Sequence, residues 1–212
     1  AVQGGGTARL PAAPGDSLDD VALSVRADPL VLGDLTAFAP FLDVDPREAL
    51  DLRARLTGSE DRLALTTDVT VRDGGGRFTA EATATPRLAS SPGASPLKYR
   101  VDAQAQRLTT SLLGGSGPAQ NSITAAVTGA LEGPAFDSLS GTLSASVTDT
   151  RFHDVEVPDA TLESTVQAGT ATLDLHGTVN DVRLSVAGSA RPFDAAPSVD
   201  LPARVPDMSL TT

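Results

Sequence analysis

Between Leu139 and Gly188, apolar residues alternate with Ser, Thr and Asp through four consecutive short runs. Leu143, Ala145 and Val147 share a parity in the first, Leu162 and Val166 in the second, Ala171, Leu173 and Leu175 in the third, and Val182, Leu184 and Val186 in the fourth. Side chains of an extended chain point alternately to opposite faces, so strict period two marks a strand with one apolar and one wet face. Turn formers separate the runs: Pro158-Asp159, Gly169, Gly177 and Asn180-Asp181. The stretch reads as an antiparallel meander, and its use depends on what covers the apolar face.

The same alternation recurs upstream. Val21, Leu23 and Val25 begin a strand; Leu50, Leu52, Ala54 and Leu56 form another, as do Leu63, Leu65, Val69 and Val71. Gly74-Gly75-Gly76 predicts a hairpin turn before Phe78, Ala80, Ala82 and Ala84. Leu35, Phe38 and the Phe41-Leu42 pair stand at helical spacing after Asp34, which predicts a short helix capped by Asp34 and closed at Pro40. After Ala89–Pro96 (ASSPGASP) the order restarts: a strand at Tyr99, Val101, Ala103 and Ala105, a helical piece near Thr109–Leu113, then a strand at Ile123, Ala125, Val127 and Leu131. This predicts a flexible N-terminal linker over 1–19, a first β repeat over 20–96 and a longer second one over 97–212. The expected fold is all-β with one or two short helices. It is either one long curved antiparallel sheet forming an open, taco-like apolar groove, or a β-sandwich.

Composition separates function classes. The net charge of -11 argues against nucleic acid, whose phosphates require a basic patch. It also argues against docking on anionic headgroups by charge alone. With no Cys there is no thiol catalysis, thiolate metal site or disulfide. Only 3% of residues are aromatic, so the inward side chains are mostly Ala, Val and Leu. The first twenty residues lack the basic and apolar regions of a signal peptide. The longest uncharged span, Leu108–Leu131, is broken by Gly114, Gly115, Gly117, Pro118, Gln120 and Asn121 and does not read as a transmembrane helix. The chain is expected to be a segment of something longer.

No catalytic constellation stands out. His153 and His176 are the only histidines; they fall in different runs, and no G-x-S-x-G elbow accompanies them. Asp43, Asp45 and Glu48, and Asp149 with Asp154, lack the spacing of a Ca²⁺ loop and read as solvated turn acids. Gly114–Pro118 lacks the G-K-[ST] ending of a phosphate loop. A non-enzymatic protein with no cofactor and no metal is expected.

YRVDAQAQRLTTSLLG, the run from Ser122 to Ala190, and DLTAFAPFLDVDPREALDLRARLTG together resemble the repeating region of AsmA-like and TamB-like bacterial envelope proteins. The resemblance covers most of residues 21–193 and rests on rhythm. It implies an inner-membrane anchor N-terminal to this segment and a β-taco crossing the periplasm. It further implies phospholipid acyl chains as cargo moving toward the outer membrane, and for TamB-like members a BamA-like partner in outer-membrane protein assembly. On that reading Val21, Leu23, Leu52, Leu65, Val101, Val127, Leu143, Val147, Leu173, Leu175, Leu184 and Val186 would line the groove. The competing expectation is a secreted structural or adhesive β-domain with a closed core.

Overall fold

The computed structural model describes residues 2–9, 19–36, 45–59, 62–85, 97–109, 121–135, 138–152, 154–191, 198–200 and 203–204. Most of these are extended: β1 (Val2–Arg9), β2 (Asp19–Val31), β3 (Ala49–Ser59), β4 (Arg62–Val71), β5 (Arg77–Ala84), β6 (Leu97–Leu108), β7 (Ser122–Gly133), β8 (Ser140–Phe152), β9 (Val155–Gln167), β10 (Thr170–Val179), β11 (Val182–Arg191), β12 (Ser198–Asp200) and β13 (Ala203–Arg204). From β1 to β12 the strands lie side by side in chain order, and β13 also pairs with β11. Every pairing is antiparallel. β1 and β12 are not partners, so the sheet is open and curled rather than closed into a barrel. Among the described residues all strands belong to this one sheet, as the open alternative requires.

Tight connections explain the simple order. Ala168 (φ 47°) and Gly169 (φ 76°) join β9 to β10, and Asn180 (φ 45°) and Asp181 (φ 65°) join β10 to β11. Two central residues at positive φ match the twist of the flanking strands and return the chain beside itself. The ladder slips between Ala27 and Leu30 in β2, between Ala105 and Leu108 in β6, and between Ser122 and Thr124 in β7. These three slips fall at the same end of the sheet and a fourth, between Thr7 and Arg9 in β1, at the other; such irregularities bend strands and increase twist.

At that end a short helix, α1 (Leu32–Thr36), folds against the sheet. Leu32 is fully buried and packs with Leu50 and Val71, joined by Val69 and Leu108. Its amide donates to the Glu48 carbonyl at 2.9 Å. The helix begins two residues before Asp34, which lies in its first turn instead of capping it. The buried Leu32 anchors the helix start, overriding the capping signal. The expected continuation through Phe38 and Pro40 lies outside the described residues, as do Thr110–Leu113 of the second helical piece and the linker at 89–96.

Several expectations give way to the ladder. Residues 2–9, expected within a linker, form edge strand β1, because pairing with β2 supplies the order that Gly4, Gly5 and Gly6 lack by propensity. Pro158-Asp159 is not a turn but lies within β9. The register passes from Thr148↔Asp159 to Thr150↔Val157, which sets Pro158 against Asp149, where β8 adopts φ 44°. A proline is tolerated at such an irregularity. The break instead falls between Phe152 and Val155, which face each other across the hairpin. Gly177 is likewise inside β10, between Ala160 and Leu184. A Cβ there would stand 2.7 Å from the Ala160 Cβ, so this glycine admits a close neighbour and makes no turn. By contrast, β5 and β6 pair from Arg77↔Gln106 to Ala84↔Tyr99, so residues on both sides of 96–97 share one sheet, as the single long sheet expected from the sequence does.

Candidate functional site

Register carries one side-chain parity across the whole sheet. Leu23, Leu56, Leu65, Ala82, Val101, Gly129, Leu143, Ser164, Leu173 and Gly188 are successive cross-strand neighbours from β2 to β11. A parallel row runs Val25, Ala54, Thr67, Ala80, Ala103, Val127, Ala145, Leu162, Leu175 and Val186. The next begins at Ala27, Leu52 and Val69 and ends at Val147, Ala160, Gly177 and Leu184. A fourth joins Val21, Gly58, Leu63, Ala84, Tyr99, Leu131, Gly141, Val166 and Ala171. All twelve residues singled out from the sequence lie on this face. Thr67, Tyr99 and Ser164 are its hydroxyl-bearing members among these positions. Leu56, Leu63, Tyr99 and Leu131, which carry the same alternation, belong to it equally beside those twelve.

The face is unevenly covered. At the α1 end Leu32, Leu50 and Val71 are buried; at the other end Leu139, Val166 and Ala171 are. Between them Leu23, Val25 and Leu65 remain about 40% exposed. Fully burying such a side chain is worth about 1.5–3 kcal/mol, so roughly 1 kcal/mol each is left to whatever covers them. A cavity of about 370 Å³ lies on this face, walled by Leu56, Leu63, Leu65, Val101, Leu131 and Leu143 among others. Two larger hollows, of about 670 and 520 Å³, are lined largely by residues of the opposite, polar parity.

The polar face is held by ion pairs. Arg72 reaches Asp51 with Nε at 2.9 Å and Nη2 at 2.7 Å, and also pairs with Asp28. Arg77 grips both oxygens of Asp68, with Nε–Oδ1 at 3.0 Å. A hydrogen bond from Arg26, aided by the charge of Arg72, holds the Asp28 carboxyl below its ordinary value; Arg77 does the same for Asp68. Asp51 and Asp68 in turn raise the guanidinium values of Arg72 and Arg77.

His176 lies on this polar face, with Nε2 2.9 Å from Asp174 Oδ1, both side chains well exposed. Ser185 stands across the ladder from His176, but among the described residues no hydrogen bond joins them. The pair lacks the nucleophile contact that triad chemistry needs. His153 and Asp43 lie outside the described residues. Asp45 Oδ1 accepts from the Arg47 amide at 2.9 Å, a local turn contact. Among the described residues, no group of three His, Asp or Glu side chains is placed to hold a metal ion, and no helix is long and apolar enough to cross a membrane. Compared with known proteins, the chain matches no family model, no curated sequence and no solved structure.

Proposed function

We propose that this chain is a non-enzymatic segment of an envelope bridge that carries phospholipid acyl chains along its apolar face. The bridge would cross the periplasm, anchored in the inner membrane and directed toward the outer one, with a BamA-like protein as a further partner. The observation that supports this reading is the predominantly apolar parity carried from β2 to β11, with Leu23, Val25 and Leu65 left about 40% exposed. Acyl chains need no hydrogen-bond partners, and a row of Leu, Val and Ala offers nearly equivalent contacts at each strand, so sliding costs little.

The test is photo-crosslinking in cells from positions 173 and 184. Capture of phospholipid is expected, with loss of capture in Leu173→Asp and Leu184→Asp while strand content stays near normal. Capture of no lipid from either position overturns the reading. A second reading, a structural or adhesive module joining others by its edges, is favoured by β1, which pairs on one side only and leaves Val2 62% exposed. It predicts concentration-dependent end-to-end assembly and cross-links to protein instead of lipid.

A further inference from the structure

On the polar face, Arg26 of β2 lies directly across from Arg53 of β3, and Arg55 follows two residues along on the same face. Like charges placed directly opposite destabilise a sheet unless something compensates them. Arg26 has a contact to Asp28 at 3.4 Å. Among the described residues, Arg53 and Arg55 form no ion pair. The nearest acid across the ladder from Arg53 is Asp68, and both its oxygens are already held by Arg77. These arginines border the 520 Å³ hollow, which also includes Thr66, opposite Arg55. In a chain of net charge -11, three arginines this close together, two of them without an ion pair among the described residues, are not a consequence of composition.

The geometry points to an oxyanion site formed by Arg26, Arg53 and Arg55, with the Thr66 hydroxyl as a further donor, for a phosphate group. Neighbouring strands lie about 4.8 Å apart and alternate residues about 6.7 Å apart, so the three stems form a compact triangle. Guanidinium groups offer planar pairs of donors that match phosphate oxygens, which makes the cluster a better phosphate ligand than a diffuse positive field. Glu81 and Asp68 also line the hollow; Glu81 lies across from Thr66 and two strands, about 10 Å, from Arg55, so the anion is placed on the arginine side. The site is on the face opposite the apolar rows, so it goes beyond the acyl-chain reading and stands or falls separately from it.

The phosphate can belong to a soluble ion or to a lipid headgroup, and two arms of one experiment separate these sources. Inorganic phosphate is titrated into the whole chain by calorimetry at constant ionic strength. Vesicles of phosphatidylglycerol are compared with vesicles of phosphatidylcholine by sedimentation. Saturable phosphate binding is expected, weakened about tenfold, the equivalent of about 1.4 kcal/mol, in Arg53→Gln and in Arg55→Gln. Arg183→Gln, on the polar face of β11, is expected to bind as the parent does. Phosphatidylglycerol binding without phosphate binding, lost in the same two variants, assigns the site to a headgroup. Absence of binding in both arms, or binding unchanged in folded Arg53→Gln and Arg55→Gln, overturns the inference. Circular dichroism establishes that each variant is folded, and either one alone is sufficient.

Discussion

Gly129 of β7 stands directly across from Leu143 of β8, and the Leu143 Cδ1 lies 2.8 Å from where a Cβ on residue 129 would be. Val101 Cγ1 approaches the same point at 3.4 Å. The missing side chain lets two larger neighbours close over it, and all three residues border the cavity on the apolar face.

Gly129→Val should therefore push Leu143 into that cavity. Overpacking of this kind costs about 1–3 kcal/mol, read as a lower urea midpoint with an unchanged slope. A fluorescent fatty acid should bind the variant more weakly than the parent. Equal binding by a folded variant would place acyl chains elsewhere on the face.

The buried end of the sheet should dominate its stability. Leu32 is fully buried against Leu50 and Val71, so Leu32→Ala should cost about 2–5 kcal/mol in denaturant unfolding. Leu65 is 40% exposed on the same face, and Leu65→Ala should cost roughly half as much or less.

Asp68 provides a pH signature. Its folded value is depressed by the Arg77 hydrogen bond. The resulting stabilisation is fully present above the ordinary unfolded carboxylate value and is lost as pH falls through the lower folded one. An NMR titration should find Asp68 below the ordinary range, and Arg77→Gln should return it toward that range. The pair is well exposed, so salt should diminish the effect.

Edge strand β1 should open first. It pairs only with β2, and its three consecutive glycines contribute no side chains to hold the register. Amide exchange should be fastest there and slowest in central strands such as β6 and β7.

Much of the apolar face was legible because period two is a local property. Once each strand keeps its alternation and each hairpin keeps its pairing, parity passes from Leu23 on β2 to Leu184 on β11 without distant information. The punctuation was less legible. Pro158 and Gly177 are turn residues by preference, yet Pro158 falls opposite an irregularity at Asp149 and Gly177 fills a gap beside Ala160. Their neighbours in the ladder, invisible along the chain, decide their role.

The sequence by itself determined that this chain is extended, antiparallel and two-faced, because backbone geometry alone turns alternation into faces. Only the tertiary structure decided that the strands remain one open sheet in chain order, that a glycine-rich segment becomes β1, and that Leu32 closes one end. Those outcomes depend on pairing and burial between residues far apart in sequence. The same holds for Arg26 and Arg53, which only the β2–β3 register brings face to face.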